Sequence, residues 1–171
     1  MKLAEEKKVV LVASDLNLAT GSTQVTKGIN MKGYHHCTFL ISFGTIGTSN
    51  TVLRAVSGAT DLAPTSDIAF KYAYGASTCI FAGAGTTPAS GADVLAAETT
   101  VVAATGLTVL QATYSNFMLL VEVDASDMDV ANGENWLSLE FTDAGTCTGL
   151  VTIFAILEPR YTGNLSATAL A

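Results

Sequence analysis

The stretch Tyr34-His35-His36-Cys37-Thr38-Phe39-Leu40-Ile41-Ser42-Phe43 decides the fold class. Successive side chains of an extended strand point to opposite sides, so His35, Cys37, Phe39, Ile41 and Phe43 share one face. Tyr34, His36, Thr38, Leu40 and Ser42 share the other. This is the pattern of a strand with one face buried. The small-residue run Gly44 to Asn50 follows it as a turn, and Thr51 to Ser57 is the next strand, ended by Gly58. Asp61 to Asp67, which contains Pro64, reads as a loop. Ile68 to Tyr74 alternates again, with Ile68, Phe70, Tyr72 and Tyr74 against Ala69, Lys71 and Ala73.

Further along, Ala82 to Ala92 holds three glycines and a proline and reads as a long loop. Asp93 to Thr105 mixes helix-favouring Ala96, Ala97 and Glu98 with β-branched Thr99 to Val102, and predicts a strand after Glu98. Leu107 to Thr113, Asn116 to Val123, Asn135 to Thr142 and Leu150 to Leu157 complete the strands. Leu137, Leu139 and Phe141 alternate with Ser138 and Glu140, as in a half-exposed strand. Leu150 to Leu157 is apolar on both faces apart from Thr152, as in a central or doubly covered one. Roughly eight or nine short strands with Gly/Thr/Ser/Asn turns and no amphipathic helix predict an all-β, single-domain β-sandwich or jelly roll with extended terminal segments. The expected division is 1–33 as an N-terminal arm or first strand, 34–159 as the sandwich and 160–171 as a C-terminal tail. The expected core comprises Phe39, Ile41, Phe70, Leu119, Val121, Leu139, Phe141, Phe154 and Ile156.

Composition agrees with one folded domain. In 171 residues, 49% are apolar and 13% charged, and Ala, Thr, Gly and Ser account for 75 positions. Disordered chains combine low hydrophobicity with high charge, which excludes that class. The apolar run Leu150 to Leu157 is too short to cross a membrane as a helix. Net charge is −7, with seven Lys/Arg against five acids in residues 1–71 and Arg160 alone against ten acids in 72–171. Phosphate binding needs clustered basic residues, so nucleic acid is not an expected partner, nor is a membrane. The first residues, Met1 to Lys8, place two acids where a signal peptide would be basic, so export by that route is not expected. Cys37, Cys79 and Cys147 lack paired spacing and read as buried thiols.

No constellation announces catalysis, and no catalytic, cofactor-binding or metal residues are predicted. His35 and Cys37 share a strand face but His36 does not, and no further histidine exists to complete a metal site. Asp124 to Glu134 has alternating oxygens but lacks the glycine and the twelfth-position glutamate of a calcium loop; it reads as a turn built on Asn132-Gly133. Gly83 to Thr87 lacks the lysine of a phosphate loop. Tyr34, Tyr72, Tyr74, Tyr114, Tyr161 and Trp136 could line a carbohydrate platform or pack in the core.

Several segments together resemble small structural proteins encoded in tailed-phage and prophage head gene clusters. They are Tyr34 to Gly44, Ile68 to Tyr72, Val121 to Ala125 leading to Asn135-Trp136-Leu137, and Ala155 to Tyr161. The resemblance spans most of residues 34–161. It implies a virion protein, best matched by a capsid decoration (cement) protein: a β-sandwich knob on the outside of the shell, often a trimer, made in the host cytoplasm. The implied partners are the major capsid protein and further copies of the chain; no enzymatic activity is implied. The alternative class is a receptor- or carbohydrate-binding β module of a head fibre or tail adhesin. Copy number separates the two, since decoration proteins match the shell protein in stoichiometry and adhesins are scarce.

Overall fold

The computed structural model describes residues 6–19, 21–47, 49–61, 63–75, 94–143, 147–161, 165 and 168–170. The predicted loop at Ala82 to Ala92, the glycine run Gly83 to Thr87 and Cys79 lie outside them. The described residues form an all-β sandwich of two antiparallel sheets. Sheet A has the order β1 (Lys8–Asn17), β12 (Leu150–Pro159), β4 (Tyr34–Phe43), β10 (Met118–Asp124), β7 (Phe70–Tyr74), β8 (Thr99–Val101). Sheet B runs β2 (Gln24–Val25), β11 (Trp136–Asp143), β5 (Thr51–Thr60), β6 (Ala63–Ile68), with β3 (Ile29–Asn30) also on β11 and β9 (Leu107–Val109) also on β5.

The pairings nest. β1 pairs with β12, β2 and β3 with β11, β4 with β10, and β5 with β6, while β12 and β11 close their sheets onto β4 and β5. This is one long antiparallel hairpin rolled over on itself, the double Greek key of a jelly roll. β7, β8, β9 and a single helical turn, α1 (Gln111–Tyr114), lie between β6 and β10. The core fills the space between the sheets: Cys37, Phe39, Ile41 and Phe43 from β4, Leu119, Val121 and Val123 from β10, and Leu53, Leu137, Leu139 and Phe141 from sheet B, all 1% exposed or less.

Tyr34 to Phe43 forms the predicted strand over its whole length, but its phase slips at the start. Glu158 pairs with His36 and Pro159 with Tyr34, so His35 is the extra residue of a β-bulge. Tyr34 turns inward and His35 outward, reversing their expected faces, while Cys37 to Phe43 keep theirs. Ile68, Phe70, Tyr72 and Tyr74 share the inner face as expected, although the chain changes sheets at Ala69. The strand after Glu98 is β8.

Other expectations are corrected. Ala63–Ile68 is a strand, not a loop, because β6 is a sheet edge where Pro64 forfeits no needed ladder bond. β5 runs past Gly58 to Thr60, since a bulge sets Gly58 opposite Pro64. Leu107 to Thr113 divides into β9 and α1, whose Tyr114 packs on Phe43 and Tyr74 with ring centroids 6.3 and 5.5 Å apart. On β12, Val151, Ile153, Ala155 and Leu157 point inward; Phe154 is 39% exposed, and Ile156 lies beside it on the outer face rather than in the core. A run apolar on both faces carries no phase information, and the pairing with β4 sets it. The chain end is no free tail where it is described: Ala169 is buried and accepts a hydrogen bond from the Asn30 amide, and Leu170 bridges Ile29.

Candidate functional site

The two outer sheet faces differ in chemistry. Sheet B presents Arg54, Asp67 and Glu140: Glu140 stands opposite Arg54 in register, and Arg54 Nη1 lies 3.6 Å from Asp67 Oδ2. Sheet A presents hydrocarbon. Reading the ladder across it, Leu11 faces Phe154, Phe154 faces Leu40, and Leu40 faces Leu120. This apolar row crosses four strands. Leu11 is 49% and Phe154 39% exposed, and Val9 and Leu150 on the same face are 48% and 51% exposed. Between β12 and β4 the surface dips into a groove of about 330 Å³ walled by Leu40, Ser42, Leu150, Thr152 and Phe154. Exposed apolar surface of this kind is a feature shared by protein-contact faces, membrane-contact faces and ligand grooves.

Two register positions away, the same face carries charge. Lys7 Nζ donates to Glu158, Glu158 stands opposite His36, and His36 Nδ1 lies 2.8 Å from Asp124 Oδ1. The row Lys7–Glu158–His36–Asp124 therefore runs from the residue just before β1 across β12, β4 and β10. The hydrogen bond and charge of Lys7, with the charges of His36 and His35 adding to it, hold the Glu158 carboxyl below its ordinary value against the opposing effect of burial.

The residues weighed for metal chemistry are dispersed. Cys37 points into the core, where burial pushes its thiol pKa up, while His35 faces solvent beside Arg160 at an open cleft of about 520 Å³. Asp124 meets His36; Asp129 caps a short 3-10 turn by accepting from the Asn132 amide and, at 2.7 Å, from its side chain. Gly133 ends that turn at φ +80°, the left-handed geometry expected of Asn-Gly. Glu134 folds under β5 and β6, 6% exposed, and accepts from the hydroxyls of Ser57 at 2.5 Å, Thr65, and Ser66 at 3.0 Å. Those donors hold its carboxyl below the usual range although burial alone would raise it. Among the described residues no three His, Cys, Asp or Glu side chains converge as a metal site.

The aromatic residues form no exposed platform among the described residues. Tyr34 and Tyr114 are buried and Tyr72 and Tyr74 pack against the core, leaving Tyr161 as the exposed tyrosine. The sequence reading missed both rows on sheet A. Its one local signal was the double-faced hydrophobicity of Leu150 to Leu157, since Leu11, Leu40 and Leu120 join Phe154 through strand register alone.

No family model and no curated protein matches the chain. Among solved structures, it is similar to the crystal structure of the SPBc2 prophage-derived protein YomS, at 12% identity over 89% of this chain and 92% of that one, with a TM-score of 0.39. A superposition this loose defines neither a shared family nor a shared activity.

Proposed function

We propose that the protein is a phage virion structural protein, a decoration (cement) protein that binds the outer surface of an assembled shell and stabilises it. The supporting observation is the apolar row Leu11–Phe154–Leu40–Leu120, which leaves one face of a finished sandwich suited to burial against protein. The segments between Tyr34 and Tyr161 that resemble phage head proteins supply the setting. Few long charged side chains and many Thr, Ala and Gly residues give a surface that loses little side-chain entropy on contact. The adhesin alternative draws no support from Tyr34, Tyr72, Tyr74 and Tyr114, which pack inward rather than forming a sugar-stacking surface.

The test uses undecorated shells and purified full-length chain. Binding at near-stoichiometric copy number, with a rise in the temperature at which the shell releases its genome, is the expected result; stabilisation should grow with occupancy by mass action. A protein that neither binds nor protects ends this reading. Met1 to Lys32 holds five of the chain's eight basic residues and is a candidate fastener; with Lys8–Asn17 built into sheet A as β1, the truncation that tests it removes residues 1–7.

A further inference from the structure

We infer that the outer face of sheet A is an interface between two copies of this chain, packed face to face about a two-fold axis that runs along the strands between β12 and β4. The inference rests on the reading of this face as protein-binding and names a second copy as its occupant, so that the shell contact falls to other surfaces of the dimer. Such an axis reverses the cross-strand order while keeping each residue at its own level along the strands. In the charged row Lys7–Glu158–His36–Asp124, reversal sets Lys7 of one copy opposite Asp124 of the other and Glu158 opposite His36. Within this row each carboxylate then faces a nitrogen base and no like charges meet; Glu122 and the groove residue Asp15, elsewhere on the face, gain no such partner. In the apolar row Leu11–Phe154–Leu40–Leu120 the same reversal sets Leu11 opposite Leu120 and Phe154 opposite Leu40. Thr152 and Ser42, paired in register nearer the other end of the face, exchange places as well.

One operation thus satisfies charge, hydrocarbon and hydroxyl rows together, as a self-complementary two-fold interface requires. The groove walled by β12 and β4 straddles the axis, so the Phe154 ring of each copy is set to enter the groove of its mate. The intervening row, Val9–Ile156–Thr38–Glu122, places Ile156 on Thr38 and leaves Val9 against Glu122 at the rim. Strands of the two facing sheets run nearly aligned, the ordinary geometry for packed sheets. The outer face of sheet B, with Arg54, Asp67 and Glu140 half-exposed, offers no such apolar row among the described residues.

The test is sedimentation of the full chain across a concentration range, with two kinds of variant. Wild type should sediment as a concentration-dependent dimer. Phe154→Asp should weaken it at least about tenfold, as loss of a central aromatic anchor does, while a thermal melt at a concentration too low for dimers reports intact folding. Lys7→Glu and Asp124→Lys should each weaken self-association, because each creates a like-charge contact across the axis. Mixing the two variants should restore a heterodimer, in which the two introduced side chains face each other with opposite charge and the native Lys7–Asp124 contact is kept. A monomer at all concentrations, a trimer as the family resemblance implies, or a dimer indifferent to all three substitutions overturns the inference. Shell binding is scored separately: a monomer that decorates shells ends the two-fold face and keeps the proposed function, whereas a dimer that ignores shells does the reverse.

Discussion

The rings of Phe43 on β4 and Phe141 on β11 meet edge to face across the two sheets, centroids 6.5 Å apart and planes at 82°. Each ring is 1% exposed or less, and the contact joins the strand that decided the fold class to the centre of the opposite sheet. An edge-to-face pair adds to the area it buries, because the positive ring edge meets the negative face. Phe141→Ala is therefore expected to cost about 3–5 kcal/mol, read as a shift of the urea midpoint at constant slope. An unchanged midpoint would mean that β11 does not present Phe141 to the core.

The phase of β12 gives a second prediction. Ile153 is fully buried and Phe154, its neighbour, lies outside. At protein concentrations too low for association, Ile153→Ala should cost about 2–5 kcal/mol, and Phe154→Ser should stay within about 0.5 kcal/mol of wild type. The reverse ranking would restore the expected core placement of Phe154 and dissolve the apolar row.

The same strand shows where sequence information runs out. Alternation is local, so Tyr34 to Phe43 and Asn135 to Thr142 could be read for existence, extent and buried face. Leu150 to Leu157 has no alternation to read, and its phase depends on pairing with β4, more than a hundred residues away. The bulge at His35 is equally nonlocal, arising where Pro159 meets Tyr34 rather than His35. Pro64 misdirects in another way: proline opposes a central strand but not an edge, and edge position follows from the topology of the whole sheet. The two rows on sheet A combine residues from four strands, so each side chain was visible in the chain and their adjacency was not.

Gly58 tests the β5–β6 edge. A Cβ built there would overlap the Ala63 carbonyl oxygen and lie 3.2 Å from the Pro64 Cα. Both obstacles are backbone, so no side-chain rotation relieves them. Gly58→Ala should destabilise the fold by about 1–3 kcal/mol, with the earliest loss of amide protection in β6. Wild-type stability and exchange in this variant would show that the two strands do not approach so closely.

Glu134 carries the pH prediction. Its folded carboxyl is held below the ordinary value, first by the Ser57 hydroxyl, then by Thr65, with Ser66 adding to them against the cost of burial. A depressed folded pKa means that the unfolded chain binds the proton more readily, so stability from this group is fully present above the unfolded value of about 4.3. It is lost as pH falls through the lower folded value. Glu134→Gln removes the charge while keeping the shape, and should cost about 1.5–3 kcal/mol at neutral pH, the range for hydrogen bonds to a charged group. Unfolding free energies measured by urea from pH 7 down to pH 2 should then converge: wild type declines below about pH 4.3 relative to the variant, which has no proton to gain at this position. Profiles that stay parallel throughout would show that the buried group under β5 and β6 is not held as a carboxylate, and that the three hydroxyls serve a neutral acid instead.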